Sequence, residues 1–377
     1  MQIKRMEKAT AIELITDWHS LGAKLGIKAG LLSYVLKERN AMQTKIRLGE
    51  RTVYKSATYL RHIQNRIMAL LDEVYGTMPD TEVSLAYRKN LSAVEEIAKT
   101  RHATILVTFD IKKYYDHVTL KHIEDSLTNC GFDRLGARLI GRYCVVHRRG
   151  AQTLQQGSPA SPVLSNIVGH FVFDQPIRQW LGKEYPELDC TYVRYCDNIA
   201  LFVHTEPPQG FTDAFKAAVK TMLAANGFRT HKWNCISDRN PVKHQKFLGI
   251  VLNSQARAKL EIVDRLRAIL FNWCCEGTRV TARRFAGENG ITPTIEAIGL
   301  IATRLKQHLS GHINYIARIN KKQGEMLKKL YEAAVLLDNR DAHVRGNDEL
   351  FSAIKMYRKH DEDRTVYIGR LESVLNG

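Results

Sequence analysis

Thr104-Ile-Leu-Val-Thr-Phe-Asp-Ile-Lys-Lys-Tyr-Tyr115 is the stretch that decides the fold. Residues 104–109 are apolar or β-branched throughout, the composition of a short buried strand, and an acid, Asp110, stands at its end. Residues 192–203 read as two more strands broken at Asp197-Asn198, a dipeptide suited to a tight hairpin turn. We expect these strands to share one sheet, which sets Asp110 and Asp197 at strand ends. Two carboxylates so placed can hold hard divalent cations, which prefer carboxylate oxygens. Nucleotidyl transfer uses two such ions roughly 3.5–4 Å apart, one activating the attacking hydroxyl and one holding the triphosphate and leaving group. Taken singly, each acid has a plainer reading, Asp110 as a helix N-cap and Asp197-Asn198 as an ordinary type I′ turn. The pairing is what favours a metal.

Outward from these strands, Gly157-Ser-Pro-Ala-Ser-Pro162 is turn chemistry leading into an apolar run over residues 163–173, expected to be a helix starting near Pro162. Upstream, Leu60, Ile63, Ile67, Leu70, Leu71 and Val74 recur at helical spacing, with Arg61 and Arg66 among the polar positions. After Asn253 the strand-like runs vanish. Val263, Leu266, Leu270 and Trp273, then Leu305, Leu309, Ile313 and Ile316, follow a helical period, so a domain boundary is expected near residue 255. Residues 301–330 hold seven Lys or Arg and one acid, Glu325.

The 377 residues carry 56 Lys+Arg against 39 Asp+Glu, a net charge of +17, with 44% hydrophobic and 25% charged residues. That balance is globular, and the length allows two or three subdomains. No run of about 18 apolar residues occurs and the amino end is charged, so neither membrane insertion nor secretion is expected and the cytoplasm is the default address. Seven cysteines without C-x-x-C spacing fit reduced thiols better than disulfides or structural zinc. A basic protein of this kind binds nucleic acid more readily than a small acidic substrate.

With these residues in hand, the sequence resembles a reverse transcriptase, through five segments in the right order. Phe109-Asp-Ile-Lys-Lys-Tyr-Tyr115 is similar to the palm motif that supplies the first catalytic aspartate. Gln156-Gly-Ser-Pro-Ala-Ser-Pro-Val-Leu-Ser-Asn166 resembles the family's Q-G-x-P-x-S-P-x-L-S-N segment almost letter for letter. Tyr195-Cys-Asp-Asn198 is similar to the Y-x-D-D box, Gly227-Phe-Arg-Thr-His-Lys232 to a later palm motif, and Lys246-Phe-Leu-Gly-Ile250 to the primer-grip strand. Upstream, Lys45, Arg51 and Leu60-x-x-x-Gln64-x-x-Ile67 resemble fingers motifs of group II intron and retron enzymes, and Leu309-Ser-Gly-His-Ile-Asn-Tyr-Ile316 resembles their thumb helix.

The resemblance implies an α+β right-hand polymerase, with residues 1–100 as fingers, 101–255 as a palm with a fingers insertion, and 256–377 as thumb and carboxy-terminal helices. It implies two Mg²⁺ ions on Asp110, Asp197, Asn198 and the backbone carbonyl of Ile111, and dNTP substrates. Lys45 and Arg51 would clamp the triphosphate, or be solvated charges. Tyr115 would be the steric gate against a ribose 2′-hydroxyl, or plain core. Gln156 would lie beside the incoming nucleotide, or be a surface amide. Lys232 would give a proton to departing pyrophosphate, or face solvent. Gly157, Ser158, Pro159, Tyr195, Phe247, Leu248 and Gly249 would touch primer and template. The basic cluster over residues 301–330 would track duplex phosphates, where in other proteins it is a solvated helix face.

Within the family, the compact layout and the cysteine of Tyr195-Cys-Asp197 are most like the defence-associated reverse transcriptases, in particular the second type, whose partner is a structured noncoding RNA copied into cDNA in anti-phage immunity. A retron enzyme making branched RNA–DNA is the rival, but the Val-Thr-Gly signature near the primer grip is replaced by Phe247-Leu-Gly249. Asn198 departs from the Y-x-D-D box. An amide ligates a cation weakly and removes a negative charge from the site, so activity should be weakened. It reads as an engineered change or a natural weakening, the former favoured, and it leaves open a disabled RNA-binding scaffold.

Overall fold

The computed structural model describes residues 15–148, 150–253, 255–292, 294, 297–342, 348–349, 352, 354 and 364–376. Its strands are β1 (Gln43–Leu48), β2 (Arg51–Ser56), β3 (Ile105–Ile111), β4 (Val145–Arg148), β5 (Ala151–Leu154), β6 (Cys190–Tyr195), β7 (Asn198–Val203), β8 (Thr230–Ser237), β9 (Lys246–Phe247), β10 (Ile250–Val251) and β11 (Arg257–Ala258). The expected α+β class holds. Contacts divide the chain into two units, one running to Ala93 and resuming over Ala103–Lys243, the other comprising Val94–His102 and the chain from His244 onward.

In the first unit β6, β7, β3 and β8 form one antiparallel sheet in that order. β3 and β7 are its inner strands, and apart from half-buried Ile105 their Val, Ile, Leu and Phe side chains are buried: Val107, Phe109, Ile199, Leu201 and Val203 are all within the core. Strands buried on both faces read as continuous apolar runs, which is why this pair is so legible in the sequence. β8 is an edge strand with largely exposed side chains. The helix Thr58–Thr77 buries Leu60, Ile63, Ile67, Leu70, Leu71 and Val74, as its period requires, and Gln64 with them.

One local expectation is corrected and one is met with a change of geometry along the way. The hairpin turn is Cys196-Asp197, not Asp197-Asn198: Tyr195 pairs with Asn198, which is the first residue of β7. Positive φ falls on Cys196 (58°) and not on Asp197, the pattern of a type II′ turn rather than type I′. The helix expected near Pro162 spans Ser161–Gly169, then widens into a π turn over His170–Asp174 before the helix Gln175–Glu184. Pro176 lacks an N–H, so one backbone bond is missing where the register opens.

That π turn delivers Asp174 to Arg194 on β6. Both are buried, and the contact is bidentate: Arg194 Nε donates to Asp174 Oδ1 at 2.8 Å and Nη2 to Oδ2 at 2.9 Å. The remaining guanidinium N–H groups reach Asn166 Oδ1 (3.3 Å), the Asn166 carbonyl (3.3 Å) and the Cys196 carbonyl (3.2 Å). The hairpin turn is thereby hydrogen-bonded to the helix Ser161–Gly169 through one side chain.

In the second unit β10 pairs with both β9 and β11. This small sheet leads into the helices Leu260–Glu288, Ile298–Ile319 and Lys321–Asn339, which pack pairwise. The sequence period is realised, with Val263, Leu266, Leu270, Trp273, Leu305, Leu309, Ile313 and Ile316 all buried. The division between units lies at Lys243/His244, ahead of the boundary expected near residue 255, because the β9–β10 hairpin pairs with β11. The first long helix breaks at Gly277 (φ 77°, ψ 166°), leaving the N–H of Thr278 without its helical partner. Asp338 supplies one: Thr278 N donates to Asp338 Oδ1 at 3.0 Å, the Thr278 hydroxyl donates to Oδ2, and Lys306 Nζ lies 3.4 Å from Oδ2.

Two outcomes follow. Asp174→Ala strands the Arg194 charge in the core, and urea unfolding of the variant is expected to show a loss of about 3–5 kcal/mol. Partial burial pushes the Asp338 carboxyl up, but the Thr278 hydrogen bonds and Lys306 outweigh it and hold it below its usual value. Its contribution is therefore complete above the ordinary carboxylate range and is lost as pH falls through the folded value. Thermal unfolding followed below pH 5 should show a shallower acid loss in Asp338→Asn than in the parent.

Candidate active site at the end of strand β3

Antiparallel register places Asp110 directly opposite Asn198, with Ile111 one residue further along β3. The Ile111 N–H donates to the Asp197 carbonyl at 2.9 Å, so the hairpin turn is hydrogen-bonded to the strand end that carries Asp110. Asn198 Nδ2 donates to Asp197 Oδ1 at 3.0 Å. Burial pushes the Asp197 carboxyl up and the charge of Asp110 adds to this; its own backbone N–H, the Arg51 guanidinium and the Asn198 amide pull it down without cancelling the rise. The strand ends thus concentrate negative charge that a cation would relieve. Among the described residues, no cluster of three or more His, Cys, Asp or Glu is assembled, in keeping with an amide at position 198.

Of the two fingers-motif cations, Arg51 at the start of β2 acts electrostatically on Asp197, whereas Lys45 lies exposed on β1, opposite Tyr54. The β1–β2 ribbon is anchored by its other end. Tyr54 N donates to the Gln156 carbonyl at 2.7 Å, and Gly157 adopts φ 108° with Tyr54 so close that a Cβ would lie 2.6 Å from its carbonyl oxygen. Beside them Gln155 is fully buried. It accepts from Gln43 Nε2 and Gln64 Nε2, each at 2.9 Å, and donates to Tyr54 O and Ser56 Oγ. Gln155 rather than Gln156 orders the loop; the Gln156 side chain is half-buried and tied here only through its backbone.

The later letters of the same motif hold the frame together. Ser158 is buried and its Oγ accepts the Ala160 N–H at 3.3 Å, with Pro159 half-buried between them. Ser161 Oγ donates to the Gln155 carbonyl at 2.6 Å. Asn166 accepts from Ser84 Oγ at 2.9 Å and donates to the Ala86 carbonyl at 2.8 Å. Ser165 takes the hydroxyl of Tyr114 on its carbonyl (2.6 Å) and that of Tyr115 on its Oγ (3.4 Å). Tyr114 is the core aromatic. Tyr115 is only half-buried, packed edge-on to Tyr114 at 5.8 Å. Tyr195, also half-buried, sits with its ring 6.4 Å from that of Tyr87.

Sequence reasoning missed His231. Its Nδ1 lies 3.2 Å from Asp110 Oδ2, and it is paired opposite Asp110 across β8. Lys232, the residue singled out from that segment, has φ 48° and occupies an irregularity in the β3–β8 ladder, where the register shifts between Thr108 and Asp110. Trp233 then stacks on Phe109 at 4.6 Å. A bulge is invisible to a period-two reading. The only available signal was a histidine within one residue of the lysine. Phe247, Leu248 and Gly249 belong to the second unit, where Leu248 (φ 47°) and Gly249 (φ 83°) form the two-residue turn of the β9–β10 hairpin.

The profile of the reverse transcriptase (RNA-dependent DNA polymerase) family matches residues 49–252 of the chain. Among solved structures, the chain is similar to telomerase from Candida albicans in complex with the TWJ fragment of telomeric RNA (TM-score 0.46, 10% identity, 88% of this chain and 68% of that one). It is also similar to apo telomerase from Candida tropicalis truncated from its C-terminal domain (TM-score 0.40, 10% identity, 61% and 59% covered) and to telomerase from the same organism with the TWJ fragment (TM-score 0.40, 10% identity, 92% and 68% covered).

Gly157→Ala should push the loop off the β1–β2 ribbon, since the added methyl meets a backbone carbonyl and the φ is unfavourable for an L side chain. A loss of about 1–3 kcal/mol in urea unfolding together with faster hydrogen exchange at Tyr54 is the expected result.

Proposed function

We propose that this chain, which belongs to the reverse transcriptase family and is an RNA-directed DNA polymerase, carries out nucleotidyl transfer at Asp110 and Asp197, extending a cDNA on a structured noncoding RNA with dNTPs. One observation supports the site assignment: β3–β7 register and the Ile111–Asp197 backbone bond bring the two carboxylates to one sheet end.

The family's chemistry uses divalent ions, and the donors present fit hard cations. All are oxygens, and burial together with Asp110 leaves Asp197 holding its charge less readily than a free carboxylate. Asp110, Asp197, the Ile111 carbonyl and Asn198 Oδ1 would hold two Mg²⁺ ions. When bound, these would lower the pKa of the attacking hydroxyl and neutralise charge on the triphosphate. Asn198 Nδ2 already donates to Asp197, which leaves the amide oxygen for a cation. Arg51 and Lys45 offer positive charge to the triphosphate, Tyr115 fills the space of a 2′-hydroxyl, and Lys232 gives a proton to departing pyrophosphate. The basic stretch over residues 301–330 takes the phosphates of an RNA–DNA duplex, so binding weakens as salt rises.

The compact layout and Tyr195-Cys-Asp197 support a place among the defence-associated enzymes, acting against phage from the cytoplasm. All seven cysteines are free thiols, and no described helix is long and apolar enough to cross a membrane.

Asn198→Asp tests the reading. It restores the carboxylate of the Y-x-D-D box, and primer extension with Mg²⁺ should rise by orders of magnitude, since each ~1.4 kcal/mol of barrier is tenfold in rate. RNA binding should barely change. If the variant folds and binds RNA but incorporates nothing, the chain acts instead as an RNA-holding scaffold. In the same background Tyr115→Ala should admit ribonucleotides while largely preserving dNTP use; unchanged discrimination would return Tyr115 to the core.

A further inference from the structure

Two arginines are buried among the described residues, and their charges are met differently. Arg194 has the Asp174 carboxylate. Arg39, 4% exposed at the end of the helix Ala29–Glu38, has no carboxylate on it. Its Nη1 donates to the Arg142 carbonyl at 2.6 Å, and its Nη2 lies 3.3 Å from His147 Nε2. That carbonyl stands in the last turn of the helix Arg134–Tyr143, where a helix end offers about half a negative charge. The Arg142 side chain works against it: burial first, and then the Arg142 charge, hold the Arg39 guanidinium below its ordinary value. On β4, Arg148 is paired with Asp116, so the positive excess stays with Arg39 and Arg142.

The groups around Arg39 are also short of acceptors. His147 Nε2 lies 3.3 Å from Gln152 Nε2 as well, yet an imidazole nitrogen has one lone pair, and Gln152 Oε1 is buried without a partner. Turning the amide over gives Oε1 the His147 N–H but leaves Arg39 Nη2 with no acceptor. A water would meet the hydrogen bond and not the charge; an anion meets both. His147 is exposed and Arg142 half-buried, so the cluster opens to solvent. We propose that Arg39, Arg142, His147 and Gln152 form an anion site that holds one backbone phosphate of a bound RNA strand. The planar guanidinium fork matches phosphate oxygens, and a chain of net charge +17 draws nucleic-acid phosphates to it. The proposal rests on the reading that the chain holds RNA, and the site shares no residue with the Asp110–Asp197 centre.

Two measurements on the full chain test it: affinity for a primer–template whose RNA strand has a long single-stranded tail, by fluorescence anisotropy from low to high NaCl, and thermal unfolding in inorganic phosphate against NaCl at equal ionic strength. Arg39→Met keeps the bulk without the charge. It should bind the RNA about tenfold more weakly at low salt and reduce the steepness of log K against log[NaCl] by about one. Arg142→Gln, at a less buried position, should reduce the steepness likewise. Without phosphate, Arg39→Met should unfold at or above the parent's temperature, since an unpaired buried charge has gone; phosphate should raise the midpoint of the parent and not of the variant. A lower midpoint in Arg39→Met together with the parent's salt dependence makes Arg39 structural and overturns the proposal. A phosphate shift in the parent, with both variants keeping the parent's salt dependence, leaves a site for free anions and equally overturns it. A parent that binds no RNA removes the RNA reading itself, and this site's ligand with it.

Discussion

Arg194 brings a full positive charge into the core of the first unit with no exposed surface, and the sheet end is arranged around meeting it. Desolvating a guanidinium costs several kcal/mol, which only a complete set of partners offsets. Asp174 supplies the countercharge, Tyr192 hydroxyl shares the same carboxylate at 2.9 Å, and Asn166 and the Cys196 carbonyl take the remaining N–H groups. The backbone of the same residue pairs with Leu85. Even Gly169 answers to it, since a Cβ there would lie 2.6 Å from the guanidinium carbon. One residue therefore joins the helix Ser161–Gly169, the segment Ser84–Ala86 and the hairpin turn that carries Asp197, by its side chain to the first and last and by its backbone to the second.

Against that rigid frame, the acidic end is electrostatically unfinished. Asp110 and Asp197 repel, and Arg51 and the Asn198 amide lower that repulsion without removing it. An aspartate at position 198 would replace a donor to Asp197 by a third negative charge. The fold without cations would be less comfortable for it, while cations would be held more tightly. On the proposed assignment, Asn198 would trade affinity for metal against stability of the site when empty. His231 lies against Asp110 from the other side, its Nδ1 3.2 Å from Oδ2.

What was legible in the sequence was what depends on local pattern. Thr104 to Phe109 read as a buried strand because most of its side chains are covered, and the helical periods of Leu60 to Val74 and Leu305 to Ile316 are those of one buried stripe. The Gln156–Asn166 segment was recognisable by its letters, but their work was not: most of them bind backbone of the frame, and the amide that orders the loop, Gln155, stands just outside the pattern. The turn was placed one residue late because its positive φ falls on Cys196, a residue type with no turn signature. His231 escaped because a bulge sets it opposite Asp110, and a bulge leaves no periodic trace. The division ahead of residue 255 depends on two-residue strands too short to read.

Asp110 and Asp197 are proposed here as the metal-holding centre of a polymerase. The most direct measurement is a structure of the full chain with primer–template, a non-hydrolysable dNTP and Mn²⁺, read by anomalous scattering. Manganese between the Asp110 and Asp197 carboxylates, with the triphosphate against it, is the expected result. Nucleotide bound with manganese elsewhere, or with those carboxylates bare, would contradict it.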